Sequence, residues 1–269
     1  MRIKQIYTSP GLSNFEDRIQ KRYDLTGYTN PNEPAIFYGC FSASPPMILS
    51  HKSLAIVLWA GTDVLRLLKA FAEPDWGQTS KYKEIARRSS IHHICRSKCI
   101  KDDFDSVGLK YHFLRVSPVL PWNFQCSKLG PDIYCYGSAR KPEKYGGEII
   151  ERLKKDFPRI NFRDRCLEHE TQISYEDMRK EYEKCFLGLR LTMHDGLPNT
   201  VLEMGLMGRN CIFNGDLPNA LPYETYEDIK KIILQEQTKV GTMGNQNLTE
   251  EIRDMLAIGE DWLYTKYYE

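Results

Sequence analysis

The stretch "HDGLPNTVLEMGLMG", His194 to Gly208, decides how the chain reads. It opens with two titratable residues and a Gly-Leu-Pro turn, then runs into an apolar helix carrying one carboxylate, Glu203, near its start. The preceding "LGLRLTM" (187–193) reads as a buried strand, so His194 to Pro198 fall at its carboxyl tip. Pro198 suits the first turn of a helix, where its missing N–H is not needed. The N–H groups of Gly196, Leu197 and Asn199 can then face an anion, helped by the helix dipole. Glu203 sits about one and a half turns into that helix. A carboxylate there can accept two hydrogen bonds from a vicinal diol such as a ribose. Asp195, ahead of the turn, reaches a different part of the same ligand. A surface turn with two unrelated acids would show the same spacing.

Upstream, strands alternate with helices, the signature of βαβ units and parallel sheets. "DIYCYGS", "RINFRDR" and "NCIFNG" are strand candidates in the second half. "GGEIIERLKKDF" is an amphipathic helix with Ile149, Ile150, Leu153 and Phe157 on one face. "SYEDMRKEYEKC" opens with Ser174 and Asp177 in a capping-box pattern. In the first half, "RIKQIYT", "PAIFYGC", "SLAIVLWAG" and "KYHFLRVSP" read as short buried strands. "SPVLPWNFQCSKLGPD" holds three prolines and a glycine and marks a linker. The expected domains are therefore 1–125 and 126–269, with a closing helix that packs back across the first. In open α/β sheets, ligands bind beyond the carboxyl ends of the strands. That directs attention to a second loop, "GSARKPEKYGG", Gly137 to Gly147. Its Arg140, Lys141 and Lys144, at a helix N-terminus, make a receptor for a diphosphate; the alternative is a solvated basic loop.

The 269 residues suffice for one large or two modest domains, and a composition 41% hydrophobic and 27% charged is that of a folded protein. A net charge of +1 gives no bulk attraction to nucleic acid. No apolar run approaches the roughly 20 residues of a spanning helix, and the N-terminal "MRIKQIYTSPG" lacks a secretory core. The expectation is a soluble, cytoplasmic protein, with peripheral membrane contact left open.

The "HHICRSKC" run offers His92, His93, Cys95 and Cys99 as metal ligands. Adjacent histidines on a strand diverge, and no second ligand pair completes the set. A strand followed by a helix start is preferred, with no metal and no cofactor expected. His194 ranks as a structural histidine before a catalytic base. Asp63 in "GTD" reads equally as an acceptor contact or as a helix cap before "VLRLL".

With these residues in view, "HDGLPNTVLEMGLMGRNCIFNG" resembles the E-x7-E region of retaining GT-B glycosyltransferases, most of all family 4, with Asp195 as the first acid. "YGSARKPEKYGGEIIERL" is similar to that family's phosphate loop, Arg140 and Lys144 matching its Arg and Lys. "LWAGTDVLR" resembles the family's "HG-x-D" turn, with Ala60 where a histidine is frequent, and small virus-encoded members are the nearest likeness. The resemblance covers the last 140 residues well and the first 125 loosely. It implies an α/β fold of two Rossmann-like domains, their parallel sheets facing a cleft. It implies metal-independent, retaining transfer of a sugar from a nucleoside diphosphate to a hydroxyl of a glycan or glycoconjugate. GDP-mannose is the first donor it suggests and UDP-glucose the second. Gly137, Ser138, Arg140, Lys144, Asp195, Gly196, Leu197, Pro198, Asn199 and Glu203 become donor-side residues, with Asp195, Arg140 and Lys144 acting on the reacting groups. Gly61, Thr62 and Asp63 fall on the acceptor side. A non-catalytic nucleotide-sugar-binding module and an epimerase of the same fold are the competing readings.

Overall fold

A computed structural model describes the chain except for residues 42, 75, 76, 139, 140 and 167–173. It resolves into two compact units. The first holds Met1–Val119, His194–Leu197 and Leu256–Glu269; the second holds Leu120–Met193 and Pro198–Met255.

In the first unit, strands β1 (Gln5–Thr8), β2 (Thr26–Gly27), β3 (Ala35–Tyr38), β4 (Ala55–Leu58), β5 (Ile91–Cys95) and β6 (His112–Phe113) form one sheet in the order β2-β1-β3-β4-β5-β6. Every pairing is parallel. A parallel sheet is covered on both faces, so its central strands carry unbroken apolar runs rather than alternation. Accordingly "AIFY" of β3 and "AIVL" of β4 are buried at every position. Alternate residues feed two cores. Ala35, Phe37, Ala55 and Val57 face helices α2 (Ser44–Ser50), α3 (Thr62–Ala72), α4 (Gln78–Arg87) and α5 (Lys98–Ser106) through Ile48, Leu67, Ile85 and Phe104. Ile36, Tyr38, Ile56 and Leu58 meet Ile19 and Tyr23 of α1 (Glu16–Tyr23), together with Trp262 and Leu263. Those last two belong to the closing segment, which forms two 3-10 turns, Asp261–Leu263 and Thr265–Tyr268.

In the second unit, β7 (Asp132–Gly137), β8 (Phe162–Cys166), β9 (Cys185–Leu189), β10 (Asn210–Ile212) and β11 (Ala220–Leu221) form a parallel sheet in the order β11-β10-β9-β7-β8. Its helices are α6 (Gly147–Asp156), α7 (Tyr175–Glu183), α8 (Asn199–Leu206), α9 (Tyr226–Gln237) and α10 (Gln246–Leu256). The strand expected at 187–193 begins two residues earlier and stops at Leu189. Arg190 N still bonds Ile212 O at 3.0 Å, but Thr192 N turns back onto Arg190 O at 3.0 Å and takes the chain off the sheet. The strand expected over "KYHFLRVSP" shrinks to His112–Phe113, because Val116 N bonds Leu114 O at 2.8 Å. Among the described residues, no helix is long and apolar enough to cross a membrane.

Each unit also buries one arginine as a clamp on backbone carbonyls. Arg96 donates to Trp59 O at 2.9 Å and Val116 O at 3.0 Å in the first. Arg209, fully buried in the second, donates to the carbonyls of Cys185, Met207 and Lys128 at 2.6–2.9 Å. Arg209→Met keeps the bulk but orphans those carbonyls, and should destabilise the second unit by about 3 kcal/mol. A lowered urea midpoint in the transition of that unit checks this; an unchanged midpoint would contradict the clamp.

Candidate functional site

The phosphate-loop candidate leaves the carboxyl end of β7. Gly137 ends the strand, and the buried Ser138 accepts Lys141 N through Oγ at 3.1 Å. Arg140 lies outside the described residues. Lys144 sits in a 3-10 turn, Pro142–Tyr145, with Nζ 5.5 Å from the Tyr145 ring centre. Gly146 then takes φ 68°, the left-handed region, and caps α6. A side chain there would also be impossible on packing grounds, since its Cβ would lie 2.7 Å from Leu191 Cβ. The end of this loop thus rests on the residues that follow β9. Gly137, Ser138, Pro142 and Tyr145 line a cavity of about 190 Å³, with Glu151 and Asp164 also in its wall.

Sequence reasoning passed over a residue that ties the chain after β9 to this loop. Arg190, largely buried at the end of β9, places its guanidinium carbon 3.7 Å from the Tyr136 ring centre and 5.3 Å from that of Tyr145. A desolvated cation–π contact of this kind contributes about 2 kcal/mol. Its one sequence signal was an arginine interrupting an otherwise apolar strand.

Helix α8 begins at Asn199, with Pro198 as its extended N-cap, and is buried on all sides rather than amphipathic. It packs so closely on β9 that a Cβ at Gly188 would lie 2.5 Å from Met204 Sδ. Leu202, Glu203 and Met204 are therefore all inside, and Glu203 is 4% exposed. Its carboxylate accepts the Tyr182 hydroxyl at 2.7 Å, and the Tyr182 ring meets Tyr134 edge-on at 4.9 Å. Burial first, and then the Glu203 charge, push the Tyr134 and Tyr182 hydroxyls above the ordinary tyrosine range. Both stay neutral, so Tyr182 remains a hydrogen-bond donor that fixes the carboxylate.

Residues His194–Leu197 group with the first unit. Gly196 meets the backbone of Ala60 and Gly61: a Cβ on Gly61 (φ 131°) would stand 2.8 Å from Gly196 N, and one on Gly196 would strike Ala60 O. Two glycines here let two main chains touch. The Gly196 N–H is taken by Asp195 Oδ1 at 2.9 Å, and Leu197 is buried. Asp63 is fully buried and takes Cys40 N (2.9 Å), Ala60 N (3.0 Å), Gly61 N (2.8 Å) and Val64 N (3.1 Å). It builds the turn that presents Gly61 and Thr62. His194 Nε2 bonds Asp103 Oδ2 at 2.6 Å, and its Nδ1 is buried with no hydrogen bond. The Cys99 sulfur, then the Asp103 oxygen, favour the charged ring, and His194 rises to about 9.

The histidines of "HHICRSKC" do diverge. His93 turns inward, where its Nδ1 accepts Trp59 Nε1 at 3.2 Å and burial drives its pKa down to about 3. His92 turns to the other face, against Tyr268. Ser97 caps α5 by accepting Ile100 N at 3.3 Å. Cys99, however, comes together with Asp103 and His194, their ligand atoms within 4.8 Å of one another.

No protein-family profile matches the sequence, and no curated protein matches it. Solved structures do. TarM superposes with a TM-score of 0.58 at 13% identity, over 94% of this chain and 57% of that one. A point mutant of S. aureus TarM, in complex with fondaparinux, alpha-GlcNAc-glycerol and UDP, gives 0.51 at 14%, over 87% and 54%. A sucrose-phosphate synthase from Thermosynechococcus elongatus gives 0.54 at 11%, over 90% and 71%. The fold is GT-B. These neighbours are GT-B glycosyltransferases, and the chain spans little more than half the length of the TarM chains.

Gly196→Ala should force apart the segments at 60–61 and 194–197, at about 1–3 kcal/mol of overpacking. Faster hydrogen exchange in both segments, and slow exchange elsewhere, is the expected result; unchanged protection would disprove the close approach.

Proposed function

We propose that the chain is a retaining glycosyltransferase that takes a nucleoside-diphosphate sugar in its second unit and glycosylates a hydroxyl of a glycan or glycoconjugate. One observation carries this reading. At the carboxyl ends of β7 and β9, the loop Gly137–Gly147 touches the chain leading to α8, through Gly146–Leu191 and through Arg190 stacked on Tyr136 and Tyr145. Open α/β sheets bind nucleotides at such strand ends, and the GT-B fold supports the assignment.

In this reading Arg140 and Lys144 stabilise the departing diphosphate, the largest electrostatic demand of the step. Glu203, oriented by Tyr182, receives the ribose hydroxyls. Gly137 and Ser138 approach the phosphates through the backbone, and Pro198 and Asn199 start the helix that faces them. Asp195 keeps the role that the resemblance gives it, binding hydroxyls of the donor sugar, while Gly61 and Thr62 border the acceptor. The bond from the anomeric carbon to the diphosphate breaks, the acceptor oxygen bonds that carbon on the same face, and the acceptor proton leaves with the phosphate oxygen. Cationic side chains and helix N-termini do here what Mg²⁺ does elsewhere, so the reading includes no divalent ion at the diphosphate. UDP in the TarM complex makes UDP-sugars the first donors to test, with GDP-mannose beside them.

Lys144→Ala should weaken donor binding by roughly 1.5–3 kcal/mol, the loss of a charge-assisted hydrogen bond; calorimetric titration that finds equal affinity removes Lys144 from the phosphate site. Glu203→Gln should reduce the preference of the protein for a ribose over a 2′-deoxyribose nucleotide while the fold is kept. Equal wild-type affinity for the two nucleotides would sink the ribose assignment. Released nucleoside diphosphate, measured with and without acceptor glycans and without added Mg²⁺ or Mn²⁺, tests the whole reaction. Donor binding without turnover would leave the nucleotide-sugar-binding module as the better reading.

A further inference from the structure

We propose that Cys99, Asp103 and His194 form a binding site for a zinc-class divalent ion in the first unit. This inference does not depend on the glycosyltransferase reading. Helix α5 supplies two of the ligands. Its Ile100 and Phe104 are buried in the core, which leaves Cys99 and Asp103, again four residues apart, side by side on the adjoining stripe. His194 comes from the segment that meets Ala60–Gly61 and completes the set from across the chain.

The donor set is the argument for the metal. A thiolate sulfur, an imidazole nitrogen and a carboxylate oxygen are the three ligand types of zinc, and they suit it better than Mg²⁺ or Ca²⁺, which take oxygen. Ligand atoms within 4.8 Å of one another can close on one ion with only side-chain adjustment. His194 Nδ1 is buried without a partner, and the three residues are half-buried, screened from bulk water yet within its reach. Three protein ligands leave a fourth position for water or an incoming group, as in open rather than closed zinc sites. Ligation would fasten the 194–197 segment, and with it the Asp195 backbone, to helix α5.

The test uses the full chain, purified and freed of metal, and titrated with Co²⁺ and then Zn²⁺. One equivalent of Co²⁺ should bind with a thiolate-to-cobalt charge-transfer band in the near ultraviolet, and Zn²⁺ should displace it. Cys99→Ser should abolish the band. His194→Gln should weaken Zn²⁺ by more than the roughly 10- to 100-fold that loss of a merely supporting partner costs. Cys126→Ser, a thiol outside the cluster, should leave both unchanged, and circular dichroism of each variant confirms folding. A missing band, a band that survives Cys99→Ser, or equal Zn²⁺ affinity in the His194→Gln variant would each overturn the site. It would then be a hydrogen-bonded cluster only.

Discussion

One buried carboxylate organises the mouth of the first sheet. Asp63 is fully buried, and its carboxylate accepts backbone N–H groups from the end of β3 and from the turn between β4 and α3. A buried charge is tolerable only when its lone pairs are filled, and filling them dictates the path of residues 60–64. That path forces Gly61 to φ 131°, and the bare main chain so exposed is the surface on which Gly196 rests. The segment that carries Asp195 is therefore positioned by a residue more than 130 positions earlier that never touches it through a side-chain hydrogen bond among those described.

The second unit relies on different physics. Its loops are held by aromatic faces: Arg190 on Tyr136 and Tyr145, and Tyr182 against Tyr134 beneath Glu203. Rings supply flat, apolar walls together with a polar edge. A charged group can then be dried and fixed in one orientation without being neutralised. In the proposed function, such groups would recognise hydroxyls and phosphates, whose discrimination depends on fixed donors and acceptors rather than on area.

Much of this was legible in the sequence, and the exceptions have physical causes. The parallel sheets announced themselves through runs such as "AIFY" and "AIVL", because strands buried on both faces cannot hide their composition. The two strand-to-helix loops of the second half were singled out by glycine, proline and charge; the structure sets Gly146 of the first against Leu191, in the chain that leads from β9. Arg190 was missed because an arginine in a strand has no pattern until its aromatic partners are known. The contact of Cys99 with His194 spans 95 positions, and no local spacing encodes it. Asp63 had two readings that the sequence could not separate; its backbone partners make it a builder of the turn. The expected strand overran the end of β9 by four residues because Leu191 and Met193 continue the apolar alternation after the hydrogen bonds have left the sheet.

The return of residues 256–269 to the first unit has a consequence for biosynthesis. Trp262 and Leu263 complete a core most of whose other members lie between Ile3 and Val116, and the chain passes through the second unit in between. On the ribosome, the face of the first sheet that α1 covers through Ile19 and Tyr23 lacks the rest of its cover until the second unit has been synthesised. Burial of two large apolar side chains, each about 1.5–3 kcal/mol, arrives last. For the same reason no single cut frees either unit intact.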